Sequence, residues 1–196
     1  MEYHTKQVQD KNELEKAIEF DKKVLKAFNN ESTAYTKEAW LENLANNPEL
    51  LIYAENEGNV IGLAFGWVEN ECITISIVEV DVNYRNQGIA SMLLGTLESN
   101  AIKKGYHSFS LGGRRHAEGF YIKQGYTSSL FIQSKHPRTL DELRSINKIY
   151  KEAWCYDDGI DIRLSLLTKV IDRELQDSYD KTFPECNTIT LFNKTR

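Results

Sequence analysis

Residues 73–104 read ITISIVEVDVNYRNQGIASMLLGTLESNAIKK, and this stretch decides the fold. Its first third is apolar and rich in β-branched residues, which is typical of a buried strand. A short polar break follows at residues 83–88. The remainder carries apolar residues at helical spacing, namely Ile89, Met92, Leu93, Leu94, Leu97, Ala101 and Ile102. The stretch therefore predicts a strand, a turn that contains glycine, and an amphipathic helix.

The predicted turn has the chemistry of an anion-binding site. The first N–H groups of a helix have no partner within the helix, and the positive end of the helix dipole lies beside them. Gly88 lets a ligand approach the backbone closely, while Ala90 and Ser91 add little bulk. Arg85, just upstream, adds a positive charge, and the Ser91 hydroxyl can donate a hydrogen bond. An ordinary tight connection between strand and helix is the alternative interpretation.

Two motifs resemble the signatures of one enzyme family. Arg85, Gly88 and Ala90 form the pattern R-x-x-G-x-A, and residues 117–126 read AEGFYIKQGY, which is similar to A-x-x-F-Y-x-x-x-G-[FY]. Together and in this order, they resemble the motifs of GNAT-type N-acetyltransferases, which use acetyl-CoA. The resemblance implies an α/β fold of the α+β kind, in which helices flank a mixed central sheet. Where the family often has asparagine, three residues before the second motif, this chain has Arg114.

The resemblance also implies a set of residues that bind acetyl-CoA, the acetyl donor. The turn would hold the pyrophosphate, and backbone groups at the end of the strand would contact the pantetheine arm. Arg114 would contact the CoA phosphates, with an exposed surface arginine as the alternative. The predicted set is Val80, Asp81, Val82, Arg85, Asn86, Gln87, Gly88, Ile89, Ala90, Ser91, Arg114 and Ala117.

Two side chains are predicted to take part in catalysis. Tyr121 follows the phenylalanine of the second motif, and the resemblance implies that its hydroxyl acts as general acid toward the leaving thiolate. Glu79, on the central strand, is the first candidate for general base, and Asp81 is a weaker one. The alternatives are a tyrosine buried in the core, a solvated strand carboxylate, and a chain of water molecules that serves as the base.

The central strand contains a change of phase. Isoleucines occupy the odd positions 73, 75 and 77, whereas valines occupy the even positions 78, 80 and 82. A shift of one residue in a pattern of period two is what a β-bulge produces. A strand buried on both faces is the alternative. If Val78 and Val80 face the core, Glu79 faces the opposite side of the strand.

The composition argues against several classes of protein. The 196 residues include 24 Lys and Arg against 29 Asp and Glu, and this net charge of −5 argues against nucleic acid as a partner. No apolar run is long enough to span a membrane, and the polar start is unlike a signal peptide. Three cysteines without CxxC spacing predict a reducing, cytoplasmic location, and neither they nor the four scattered histidines suggest a metal site.

The two motifs place a GNAT domain at residues 1–134 and leave residues 135–196 as a C-terminal α/β extension. A capping box at Thr139 and Glu142 begins a helix, with apolar residues at helical spacing as far as Trp154. The extension has too few apolar faces for a core of its own. It is therefore expected to pack on the catalytic domain or across a homodimer.

The function predicted from these features is acetyl transfer from acetyl-CoA to a primary amine of a small molecule or peptide. By the resemblance, Phe28, Tyr35 and Trp40 lie on segments that line the acceptor pocket, with core packing as the alternative for Trp40. The competing function is a non-catalytic acyl-CoA-binding sensor or regulatory module built on the same turn. A protein-interaction module that uses the C-terminal segment, and binds no CoA, is a third possibility.

Overall fold

The computed structural model describes residues 3–27 and 35–196, and its chain folds into two compact units. The first unit extends to Phe109 and includes Arg196, and the second is Ser110–Thr195. Both units combine β-strands with α-helices, so the predicted α/β class is confirmed. The domain boundary expected at residue 134 stays a prediction. The compact units divide between Phe109 and Ser110, within the strand Ser108–Gly112, most of which belongs to the second unit.

The first unit contains four antiparallel strands in the order β1-β2-β3-β4. They are β1 (His4–Gln7), β2 (Leu51–Asn56), β3 (Asn59–Glu69) and β4 (Cys72–Val80). Its described residues also form three α-helices: α1 (Lys11–Ala27), α2 (Lys37–Asn46) and α3 (Ile89–Lys103). The predicted strand, turn and helix of residues 73–104 are thus β4, a short 3-10 turn with its loop, and α3.

Tight turns join β2 to β3 and β3 to β4. In the first turn Glu57 and Gly58 have φ of 51° and 79°, and in the second Asn70 and Glu71 have φ of 49° and 63°. Two successive left-handed residues match the twist of the flanking strands, because such turns are the mirror images of the common types. The three strands therefore form a continuous meander.

A bulge in β4 explains the change of phase. Phe65 of β3 pairs with Ile77, and the next residue, Gly66, pairs with Ile75, so that Ser76 is left between the two pairs. As a result Ile75 and Ile77 lie on opposite faces of the sheet. The bulge interpretation is confirmed.

Each face of the first unit's sheet packs against different helices. Ile77, Phe65 and Leu63 belong to one core cluster with residues of α1 and with Trp40 of α2. On the other face, a Cβ added to Gly62 would lie 2.9 Å from Leu93 Cδ1 of α3. The bulge therefore decides which residues of β4 face α1 and which face α3.

The second unit contains five strands in the order β5-β9-β6-β8-β7. They are β5 (Ser108–Gly112), β6 (Thr127–Lys135), β7 (Glu152–Asp157), β8 (Asp161–Leu166) and β9 (Asn187–Thr195). Its helices are α4 (Glu118–Lys123), α5 (Leu140–Ile146) and α6 (Arg173–Thr182). The last strand of the chain thus lies between β5 and β6 and pairs antiparallel with β6.

The helix predicted to continue to Trp154 ends at Ile146, and that prediction is wrong. The capping box of Thr139 and Glu142 is present at its start, as predicted. At its end the Asn147 side chain accepts hydrogen bonds from the backbone N–H groups of Ile149 and Tyr150, at 3.2 and 2.9 Å. This local turn replaces the next helical turn, because asparagine competes for backbone groups. Trp154 lies on β7 instead.

Within residues 3–27 and 35–196, no helix is long and apolar enough to cross a membrane. In the same residues, no group of three or more His, Cys, Asp or Glu side chains is arranged to hold a metal ion. The three cysteines are free thiols.

Candidate functional site

The turn before α3 has the backbone that an anion site requires. Gly88 is the N-cap of α3, with a left-handed φ of 83°, and Asn86 is also left-handed at 61°. Residues 85–88 are exposed, and no described side chain caps the helix. A Cβ added to Gly88 would meet no atom within 4 Å, so the space in front of the helix is open. The helix N-terminus is therefore accessible to a ligand.

Two side chains of the turn form hydrogen bonds with neighbouring segments of the first unit. The Arg85 Nε donates to the Val80 carbonyl at 3.2 Å, across the loop. The Gln87 Oε1 accepts from the Tyr3 hydroxyl at 2.8 Å, and its Nε2 donates to the Asn83 carbonyl at 3.3 Å. These bonds fix the loop geometry before any ligand arrives. Ile89 is buried, whereas Ala90 and Ser91 are half-buried at the start of α3.

Backbone groups at the end of β4 already form hydrogen bonds within the protein. The Asp81 N–H donates to the Ile61 carbonyl at 2.9 Å, and the Asp81 carbonyl accepts from Tyr84 at 2.9 Å. Val82 is 69% exposed. A pantetheine arm that bound along Val80, Asp81 and Val82, as predicted, would have to share or replace some of these hydrogen bonds.

The Asp81 carboxylate is engaged as a counter-ion and a cap. Its Oδ2 lies 2.7 Å from the Lys23 Nζ of α1, and its Oδ1 accepts from the Asn83 backbone N–H at 3.0 Å. The Lys23 hydrogen bond, followed by that of the Asn83 backbone, lowers the pKa of Asp81. A carboxylate with a lowered pKa is a poor proton acceptor near neutral pH, which favours a structural role.

Glu79 lies on the face of β4 that the sequence predicts for it. It pairs with Leu63, and it shares its face with Ile77 rather than with Val78 and Val80. The side chain is half-buried, and its Oε2 is fully buried. This is the face that packs against α1.

One buried carboxyl group, that of Asp21 in α1, was not among the residues predicted for the site. Asp21 lies in α1 among Leu14, Ala17, Ile18 and Val24, and it is 2% exposed. Burial raises the pKa of Asp21 to about 6. The sequence signal was a charged residue within the apolar stripe of the helix, at the spacing of a core position.

Two of the three aromatic residues predicted for the acceptor side are described, and both lie beside this face. Trp40 is fully buried and its ring centroid is 4.5 Å from that of Phe65. Tyr35 is half-buried, with its ring centroid 4.9 Å from that of Trp67. Phe28 lies outside the described residues.

Tyr121 belongs to the second unit and lies in α4. It is 7% exposed, and its ring packs against Phe192 and Tyr126, with centroids 5.3 and 6.1 Å away. A Cβ added to Gly113 would come within 2.5 Å of the Phe192 ring and 3.3 Å of the Tyr121 ring. Glycine at this position thus allows the strand end to approach the aromatic cluster closely.

Arg114 and Ala117 frame the short turn before α4. Arg114 is exposed, and its carbonyl accepts from the Ala117 N–H at 2.8 Å. Within the second unit, a cleft of about 660 Å³ is lined by Arg114, Arg115, Glu118 and residues of β9. An exposed guanidinium at a cleft can bind an anionic group, as the sequence predicts.

The comparison with protein families identifies the chain. The sequence model described as the Acetyltransferase (GNAT) family matches residues 14–126, which is more than half of the chain. The chain belongs to the GNAT acetyltransferase family. A comparison with curated proteins gave no match.

Solved structures of GNAT proteins share the fold. A GNAT-family acetyltransferase from Staphylococcus aureus Mu50 is 19% identical, with 85% of this chain and 100% of that chain covered and a TM-score of 0.55. The ribosomal-protein-S18-alanine N-acetyltransferase of Escherichia coli is 16% identical, over 88% and 97%, with a TM-score of 0.54. Diaminobutyrate acetyltransferase from Paenibacillus lautus, solved with L-2,4-diaminobutyric acid and coenzyme A, is 14% identical, over 87% and 98%, with a TM-score of 0.54.

Proposed function

We propose that this GNAT acetyltransferase transfers an acetyl group from acetyl-CoA to a primary amine of a small molecule or peptide. The observation that carries the proposal is the Gly88 turn, where an exposed left-handed glycine opens the N-terminus of α3 within the family's own motif. Coenzyme A is bound in the related diaminobutyrate enzyme, which supports acetyl-CoA as the donor here. The three free thiols support a cytoplasmic enzyme.

We propose that the pyrophosphate binds the N–H groups at the start of α3, with Arg85 beside them. The helix dipole and the N–H groups of a first helical turn both favour an anion there. The remaining residues predicted to contact acetyl-CoA keep that role in this proposal. Arg114 would supply a further positive charge to the CoA phosphates, as the resemblance implies.

The proposed chemistry needs one proton acceptor and one proton donor. Glu79, directly or through water, accepts a proton from the ammonium group of the acceptor, which leaves a neutral amine that can attack. The amine nitrogen then forms its bond to the acetyl carbon as the bond from that carbon to sulfur breaks. Tyr121 gives its proton to the CoA thiolate that leaves, and the proton that the nitrogen loses on becoming an amide returns through water to the Tyr121 oxygen.

A free-thiol release assay tests the proposal. The enzyme is incubated with acetyl-CoA and a panel of amines, and free CoA thiol is measured against controls that lack amine or enzyme. We expect thiol release that depends on an amine, and mass spectrometry should find that amine acetylated. Stabilisation by acetyl-CoA without acetylation of any amine would favour the non-catalytic sensor instead. Absence of any stabilisation by acetyl-CoA would contradict both functions.

A further inference from the structure

The core-facing stripe of α1 contains a carboxyl oxygen that has no hydrogen-bond partner among the described residues. Asp21 occupies a core position of the helix and is 2% exposed. Its Oδ2 is buried and has no hydrogen-bond partner among the described residues. A buried ionisable group without a partner is costly to the folded state and is rarely retained without a function.

Trp40, in the core cluster that α1 and α2 share, has a second buried polar atom without a partner among the described residues. Trp40 is fully buried, and its Nε1 has no hydrogen-bond partner among residues 3–27 and 35–196. Its ring centroid lies 6.3 Å from that of Tyr35. The indole N–H can only donate, whereas the Asp21 oxygen accepts when it is ionised. Among the described residues of the first unit, a buried acceptor and a buried donor are thus left without partners.

Tyr35 connects this part of the unit to the bulge of β4. Its hydroxyl is hydrogen-bonded to Ser76, the residue that the bulge leaves between two strand pairs. Burial raises the pKa of Tyr35, and the negative charge of Asp21 contributes to the same shift, so the two groups are close. Tyr35, Ser76 and Trp67 are half-buried, and this side of the cluster therefore reaches solvent.

The carboxyl groups of Asp21 and Glu79 and the rings of Tyr35 and Trp67 favour the binding of a cation. Asp21 forms no ion pair within the described residues, and the positive charge of Lys22, which lowers the pKa of Asp21, only partly opposes the effect of burial. Glu79 faces the same side of the sheet and adds negative charge. The rings of Tyr35 and Trp67 are perpendicular, at 81°, and aromatic faces attract cations.

We propose that Asp21 is the counter-ion of a cationic acceptor, whose ammonium group binds between this carboxylate and the rings of Tyr35 and Trp67. The inference rests on the proposed function, because it takes the ligand to be the amine that is acetylated. The inference limits the expected acceptors to amines whose remaining groups are apolar. An amine with a carboxylate next to its nitrogen would instead be repelled by Asp21 and Glu79.

Calorimetric titration of the full chain, without acetyl-CoA, tests the site. The probe is phenethylamine at pH 8, and 2-phenylethanol is its uncharged match in shape. We expect the amine to bind, the alcohol to bind at least tenfold more weakly, and Asp21→Asn to lose at least tenfold in affinity for the amine. Glu98→Gln is the matched control, because Glu98 is also a buried carboxyl, at 1% exposed, but belongs to α3. Equal binding of amine and alcohol, or unchanged binding by Asp21→Asn, would overturn the inference.

A second variant covers the case in which Asp21→Asn folds poorly. Asp21→Leu replaces the unmatched carboxyl with an apolar side chain of similar size, and it should raise the Tm while removing amine binding. A lower Tm would show that the Asp21 carboxyl makes favourable interactions within the protein. Retained amine binding would show that Asp21 is not the counter-ion. Either result would overturn the inference. The proposed function is tested separately, because acetyl-CoA binding and thiol release do not depend on phenethylamine.

Discussion

At the scale of single residues, Gly88 is the position on which donor binding depends. We expect Gly88→Asp to abolish the rise in Tm that acetyl-CoA produces, because a carboxylate there repels the pyrophosphate. Gly88→Asn is the matched control, since asparagine tolerates left-handed backbone and has nearly the same size without the charge. It should keep a larger share of the shift. An undiminished shift in Gly88→Asp would exclude this turn as the anion site.

Tyr121 is the residue whose chemical role can be separated from packing. Tyr121→Phe removes only the hydroxyl, so turnover should fall about 100-fold, the usual scale for loss of a general acid, while affinity for CoA stays close to that of the parent. Tyr126→Phe, in the same aromatic cluster, controls for loss of a buried hydroxyl. Steady-state kinetics and CoA titration measure both. Equal turnover in the parent and Tyr121→Phe, with the acetyl-transfer step rate-limiting, would leave water as the proton donor.

Asp21 makes the free energy of unfolding depend on pH. Its pKa is about 6 in the folded protein and 3.8 as an ordinary aspartate. Between these values the unfolded chain has released a proton that the folded protein keeps, so stability falls as pH rises from about 4 to about 6. The difference corresponds to at most about 3 kcal/mol. Urea unfolding across this range should show the fall in the parent and a flatter curve in Asp21→Asn; identical curves would contradict the shift.

At the scale of elements, the approach of α3 to β3 depends on Gly62. A Cβ there would lie 2.9 Å from Leu93 Cδ1, and 3.1 Å from both the Glu79 carbonyl oxygen and Ile89 Cγ2. Gly62→Ala should therefore cost about 1–3 kcal/mol of stability, measured by urea unfolding. Gly95→Ala, within α3, meets no atom within 4 Å and should stabilise by up to about 1 kcal/mol. A neutral Gly62→Ala would mean that the helix shifts without cost.

At the scale of the whole molecule, the end of the chain completes the second unit. Deleting residues 187–196 removes β9, which leaves β5 and β6 without their shared neighbour. We expect this short deletion to abolish cooperative unfolding of the second unit, as should removal of everything from Pro137 onward. Deleting Arg196 alone is the control, because Arg196 pairs with Glu98 in the first unit at 3.1 Å. Calorimetry would contradict the prediction if the deletion of ten residues kept the native transition.

Much of the first unit could be predicted because its signals are local. The polar break before α3, the turn residues 57–58 and 70–71, and the change of phase in β4 each depend on residues close together in sequence. Backbone conformation and side-chain period are properties of short segments, so the sequence alone determined these features. The same holds for the capping box of α5. The catalytic role of Tyr121 came from the resemblance and that of Glu79 from its place on the central strand, and both stay predictions.

The tertiary structure decided what depends on distant pairing. β9 lies between β5 and β6 although some 50 residues separate it from β6, and no local pattern encodes which strands become neighbours. The helical spacing from Leu140 to Trp154 was overridden by Asn147 and by the pairing of β7 with β8. Asp21 carried a sequence signal, but its burial needed α1, α2 and the bulged strand in place. Burial and strand order depend on contacts between segments far apart in the chain, and only the folded chain brings those segments together.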